Sequence, residues 1–139
     1  MSEEMTPEKY WNQLESESVK RIAELERELA DRPKIVCICG SSRFVQECAV
    51  KAWELNKQGI ATFFMPTLPE WYPNVQEHHQ AEHEGVAKNL DDLWLRLIAM
   101  ADEVFIMNVG GYIGERTAIE AAHAKALGKK VSYEQHPRD

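Results

Sequence analysis

Three short apolar runs limit what this chain can fold into. KIVCIC (34–39), IATFFM (60–65) and EVFIM (103–107) are continuous, rich in β-branched and aromatic residues, and too short to be helices. Runs of that kind suit strands covered on both faces, which occur in parallel sheets flanked by helices. Helical periodicity fills the gaps. After GSSRF (40–44) comes a pattern carried by Phe44, Cys48, Val50, Ala52, Trp53 and Leu55, closed by Gly59. A second carries Val86, Leu90, Leu93, Trp94, Leu97, Ile98 and Met100, and an Ala-rich third ends at Gly128 before a short strand at 131–133. Strand alternating with helix predicts right-handed crossovers and a parallel sheet. The expected fold is α/β, flavodoxin/Rossmann-like, with four to five strands and helices on both faces.

Residues 1–32 read as a separate helical extension and 33–139 as the α/β domain. In the extension Thr6 can cap a helix with Pro7 at its first position. Leu14, Val19, Ile22, Leu25 and Leu29 mark one narrow apolar stripe on an otherwise charged helix, either a surface helix or one that packs on a partner subunit. Asp31-Arg32-Pro33 should end it, because a residue before proline avoids the helical region.

The 139 residues suffice for one domain with a real core. A net charge of -7 disfavours binding to polymeric nucleic acid but leaves a small nucleotide open as ligand. Three cysteines, an acidic N-terminus unlike a secretory signal, and no run near the roughly 20 apolar residues that cross a bilayer suggest reduced thiols in the cytoplasm, with no membrane partner. Cys37 and Cys39 should share one strand face, and without a second pair they make a poor zinc site.

Ligands of open parallel sheets sit at the carboxyl ends of the strands. That rule selects the turn after the first strand, the long loop from Pro66, and the loop 108–116. In the first, Gly40 allows a tight turn, and Ser41, Ser42 and Arg43 offer donors and charge to a phosphate or sugar hydroxyl. In the third, Asn108, Gly110, Gly111, Tyr112 and Gly114 bring backbone close to a ligand, and Arg116 and Thr117 can hold an anion. Glu120 falls one turn into the last helix among Ala118, Ala121 and Ala124. The helix dipole should keep it ionised, able to attack an electrophilic carbon, although spacing alone favours a solvated surface glutamate. In the long loop Trp71 and Tyr72 offer rings to a base. His79 and His83 have a helical spacing that can hold a metal, with His78 beside them, but no metal is expected. Trp53 and Trp94 read as core, and Asp102 as a strand-entry residue.

GSSRF after the first strand, MADEVFIMNVGGYIGE, and E-x-x-x-A-x-x-x-GKK (120–130) together resemble the nucleoside 2-deoxyribosyltransferase superfamily, over roughly 34–133. The resemblance implies a flavodoxin-like sheet and a homodimer or higher homo-oligomer; no cofactor is expected. It also implies cleavage of the N-glycosidic bond of a nucleoside or its 5′-monophosphate, by transferase or hydrolase chemistry, with Glu120 attacking C1′. In nucleotide-hydrolysing relatives a Gly-Ser-x-Arg turn holds the 5′-phosphate, a part that Ser41, Ser42 and Arg43 would take. The chain departs from the transferases in carrying Gly114 where they have an Asp. The second carboxyl group then falls to Glu115, or to Asp91 or Asp92 at the start of the middle helix. That departure also keeps open a non-catalytic nucleotide-binding or sensing module.

Overall fold

A computed structural model describes residues 4–73 and 80–136. The chain divides into two compact units, 1–33 and 34–139. The first is a single helix, α1 (Pro7–Asp31), started as the sequence requires: Thr6 Oγ1 accepts from the Lys9 N–H at 3.2 Å, and Pro7 follows. Arg32 is extended ahead of Pro33. None of its residues is buried, so Trp11, Val19, Ile22, Leu25 and Leu29 leave an apolar stripe exposed.

The second unit is an α/β fold with a four-stranded, all-parallel sheet, consistent with the flavodoxin/Rossmann-like expectation. Its elements are β1 (Ile35–Gly40), α2 (Val45–Lys57), β2 (Ala61–Phe63), α3 (Gln80–His83), α4 (Ala87–Met100), β3 (Glu103–Met107), α5 (Glu115–Ala126) and β4 (Lys130–Tyr133). The spatial order is β2-β1-β3-β4. The chain steps one way from β1 to β2 and then crosses back to β3, so the order reverses at β1.

Alternation along β1 builds two cores. Val36 and Ile38 face α2, where they meet Cys48 and Ala52 together with Phe105 and Met107 of β3. Cys37 and Cys39 face the other way, toward Ile98 of α4, Ala121 and Ala124 of α5, and Val104 and Ile106 of β3. Their sulfurs are 4.0 Å apart, and all three cysteines are free thiols. Trp53 departs from its expected core position and is 63% exposed. At 100° per residue the buried line of α2 is Cys48–Ala52–Leu55, and Trp53 falls well outside it.

Side chains beyond the sheet hold its edges together. Asp102, which precedes β3, accepts from the Ile35 N–H at 2.8 Å. Lys129 donates to the carbonyls of Ala99 and Ala101 at 3.0 and 2.7 Å, tying the end of α5 to the end of α4. Asn108, buried directly after β3, clamps the chain leaving β4: its Nδ2 donates to the Gln135 carbonyl at 2.7 Å, and its Oδ1 accepts from the Gln135 N–H at 2.9 Å. Both halves of that amide are therefore used by the fold, and the expected ligand role of Asn108 gives way to a structural one.

Two substitutions test this account. Asn108→Ala should lower unfolding free energy by about 1–3 kcal/mol in urea titrations, since it removes both side-chain hydrogen bonds to the Gln135 backbone. Gly40→Ala should cost about 1–3 kcal/mol. Its added carbon would stand 3.1 Å from both Cβ and the carbonyl oxygen of Met107, on a strand that parallel pairing holds in place.

Candidate functional site

A crevice of about 240 Å³ opens at the carboxyl ends of the strands, on the α4–α5 face, where the strand order reverses. Gly40 and Ser42 reach it from β1, Met65 and Pro66 from the end of β2, Leu90, Asp91 and Trp94 from α4, and Arg116 and Glu120 from α5. The first two selected loops thus converge as expected, while the third contributes through the helix it opens.

Each polar residue here is placed by its helix. Arg116 and Glu120 are one turn apart on α5, so they share a face. The Arg116 Nη2 donates to the Asp91 carbonyl at 2.9 Å, bridging to the first turns of α4. Its Nε lies 3.2 Å from Asp91 Oδ1, close enough to pair charges but off the line a hydrogen bond needs, so that N–H has no acceptor. The pair is partly exposed, and such pairs contribute ~0–1 kcal/mol, so its effect is mainly to hold Arg116 in position.

Glu120 is not a solvated surface residue. It is 5% exposed, and its Oε2 has no hydrogen-bond partner. Burial pushes its carboxyl up from 4.5 to about 7. Arg116 pulls against that shift, Asp91 adds to it, and the Cys39 thiol lowers it slightly. The expectation that the helix dipole keeps Glu120 ionised is corrected: desolvation outweighs the dipole, and near neutral pH the carboxyl is partly protonated. Below the crevice, Trp94 Nε1 donates to Cys39 Sγ at 3.4 Å. Cys39 is held far above an ordinary thiol by its hydrogen bond with Cys37 and by burial, and burial pushes Cys48 up to about 11. These thiols stay protonated.

The other sequence candidates fall elsewhere. Ser41 caps the 3-10 turn Ser42–Phe44, accepting from the Arg43 N–H at 3.3 Å. Arg43 lies 4.1 Å from the centroid of the Tyr112 ring, and Phe44 meets that ring edge-on at 6.1 Å, so the first and third loops are clasped together through Tyr112. Gly110 and Gly111 have φ of 67° and 83°, and they serve the reversal of the chain after Asn108 rather than the crevice wall. Gly114 precedes α5 as its cap, and Thr117 is buried within it. Glu115 is exposed at the helix start and outside the crevice. Asp92 pairs with Lys88 at 2.7 Å on the exposed side of α4, and this holds its carboxyl below the usual range. Its neighbour Asp91 is the one that faces the crevice, because one residue along a helix turns the side chain by about 100°.

Sequence reasoning selected the loop from Pro66 but did not name Met65, Leu90 or Trp94 as walls of the site. Met65 and Pro66 were signalled by their place at the end of β2, and Trp94 was read as core alone although it serves both. In the long loop Trp71 is exposed and Tyr72 donates to Glu84 at 3.2 Å. His78 and His79 lie outside the described residues. Among the described residues no cluster of three or more metal-ligating side chains occurs, and no helix is long and apolar enough to cross a membrane. A second groove of about 380 Å³ lies beside α2, with Glu47, Glu54 and Glu134 around Lys51. None of its ionisable lining residues is buried. Comparisons of the chain with protein-family models, curated proteins and solved structures found no match. The chemistry has to be argued from the crevice itself.

The raised carboxyl of Glu120 carries a signature in stability. The folded protein holds that proton more tightly than the unfolded chain, so the stability it contributes is complete below about 4.5 and is lost as pH rises through about 7. Glu120→Gln, which mimics the protonated form, should therefore gain on the parent by up to ~3 kcal/mol at pH 8 and by nothing at pH 4. Unfolding free energies measured across that range would contradict the burial argument if the difference were flat.

Proposed function

We propose that the crevice cleaves the N-glycosidic bond of a nucleoside or nucleoside 5′-monophosphate, with Glu120 as nucleophile. The observation that carries this is a carboxyl group, buried yet lining a crevice at the strand switch point, held near neutrality by desolvation. The resemblance of 34–133 to nucleoside 2-deoxyribosyltransferases supports the same assignment.

In the first step a Glu120 oxygen bonds to C1′ as the bond from C1′ to the base nitrogen breaks. The bonding electrons leave with the base, and the base takes up a proton. Asp91 is the second carboxyl group in the crevice and replaces Glu115 and Asp92 as the group that relays that proton. In the second step water, or another base, attacks C1′ from the opposite side and the Glu120 carboxylate departs. Retention at C1′ follows, as in glycosidases that use a carboxylate nucleophile. Ser42 and Gly40 stand at the rim where a sugar or its 5′-phosphate would lie, and Arg43, clasped to Tyr112, stands in the same turn. The apolar side chains exposed on α1 support assembly with further copies, and the reduced thiols support a cytoplasmic setting.

Binding without turnover is the second reading. It is favoured by the exposure of Glu115, which leaves the glycine loop without a carboxyl group at the crevice.

Incubation with a panel of nucleosides and nucleotides should release free base, read by mass spectrometry. Glu120→Ala should abolish release, and Asp91→Asn should slow it by ~10²–10⁴-fold. Since the nucleophile must be ionised, kcat/KM should fall as pH drops through about 7. Nucleotide binding by calorimetry with no base after long incubation would select the second reading, and release at an unaltered rate by Glu120→Ala would remove Glu120 from the chemistry.

A further inference from the structure

We infer that the crevice selects sugars that carry a 2′-hydroxyl over 2′-deoxy sugars, through Glu120 Oε2 and Arg116 Nε acting together. This rests on the glycosidic reading above. Among the described residues two buried side-chain polar atoms lack a hydrogen-bond partner, and they are these two. Both belong to residues that line the one crevice, a single turn apart on α5. One is an acceptor and the other a donor.

A hydroxyl group is the complement of that pair, since it donates one hydrogen and accepts another. A methylene supplies neither. Of the other lining residues Met65, Pro66, Leu90 and Trp94 are apolar there, the Trp94 N–H is already given to Cys39, Asp91 is engaged by Arg116, and Ser42 stands on the β1 side of the crevice. Geometry at the reacting carbon points the same way. When one oxygen of a carboxylate approaches C1′, the other comes beside C2′, and a hydrogen bond from the hydroxyl there strengthens as positive charge develops on the sugar. A site whose buried polar groups are arranged to meet a hydroxyl discriminates strongly against an analogue that leaves them unpaired. The electron-withdrawing hydroxyl slows formation of an oxocarbenium ion, which offsets part of the gain.

The test compares kcat/KM for base release from matched ribonucleoside and 2′-deoxyribonucleoside 5′-monophosphates, and from the parent nucleosides. The expected preference for the ribo series is ~10²-fold or more. Arg116→Lys keeps the positive charge without the Nε–H, and should bring that ratio down toward one while circular dichroism reports a folded chain. Base release at equal rates, or faster from the deoxy series, overturns the inference and leaves the glycosidic reading intact. So does an unchanged ratio in Arg116→Lys. No base release from either series removes the glycosidic reading instead. Calorimetry with the same two nucleotides then decides the hydroxyl question: binding at least tenfold tighter for the ribo form supports it, and equal or absent binding overturns it.

Discussion

The pairing of β1 with β3 is the constraint on which the rest of the domain depends. It sets five residues of each strand side by side, from Val36 opposite Glu103 to Gly40 opposite Met107. Both strands are covered on both faces, so their side chains are split between two cores rather than between core and water. The same pairing decides where the strands end. Gly40 closes the register against Met107, where an added Cβ would stand only 3.1 Å away, and the chain then enters the 3-10 turn Ser42–Phe44. The crevice exists because the two flanking connections leave that point in opposite directions.

A fold built this way makes burial of charge at its switch point costly. Glu120 stands on the inner side of α5, among the small residues that let the helix lie close to the sheet. Alanines at 121 and 124 lower the helix onto β1 and β3, and the carboxyl group goes with it. Arg116 moderates the cost without removing it, because its guanidinium is also engaged by Asp91 on the neighbouring helix. The outcome is a carboxyl group that titrates near neutrality, with one oxygen still unpartnered. Groups in that condition are common where proteins do chemistry and uncommon elsewhere, since a structure with no use for them relaxes by moving the side chain into water.

Several motif residues that look chemical turn out to hold the frame. Asn108 closes the sheet over Gln135, Ser41 caps its own turn, and the lysine of the Gly-Lys-Lys segment satisfies the open carbonyls at the end of α4. These residues are still tied to the site, because they fix the ends of β1, β3 and α4 from which its walls project. A sequence motif of this length therefore mixes residues that meet a ligand with residues that make the meeting place possible.

The strands, their parallel arrangement, the capped α1 and the position of the crevice were legible in the sequence. All of them follow from local propensity and from hydrophobic period, which are properties of neighbours along the chain. The same period marks Glu120 as one turn inside α5 but gives no sense of which way that turn faces. Whether Asp91 or Asp92 enters the crevice, whether Trp53 or Trp94 packs against the core, and whether Glu120 keeps its proton depend on which helix face meets the sheet and how closely. Those are outcomes of packing between segments far apart in sequence, where desolvation and pairing with groups on other elements outweigh the local field of a single helix.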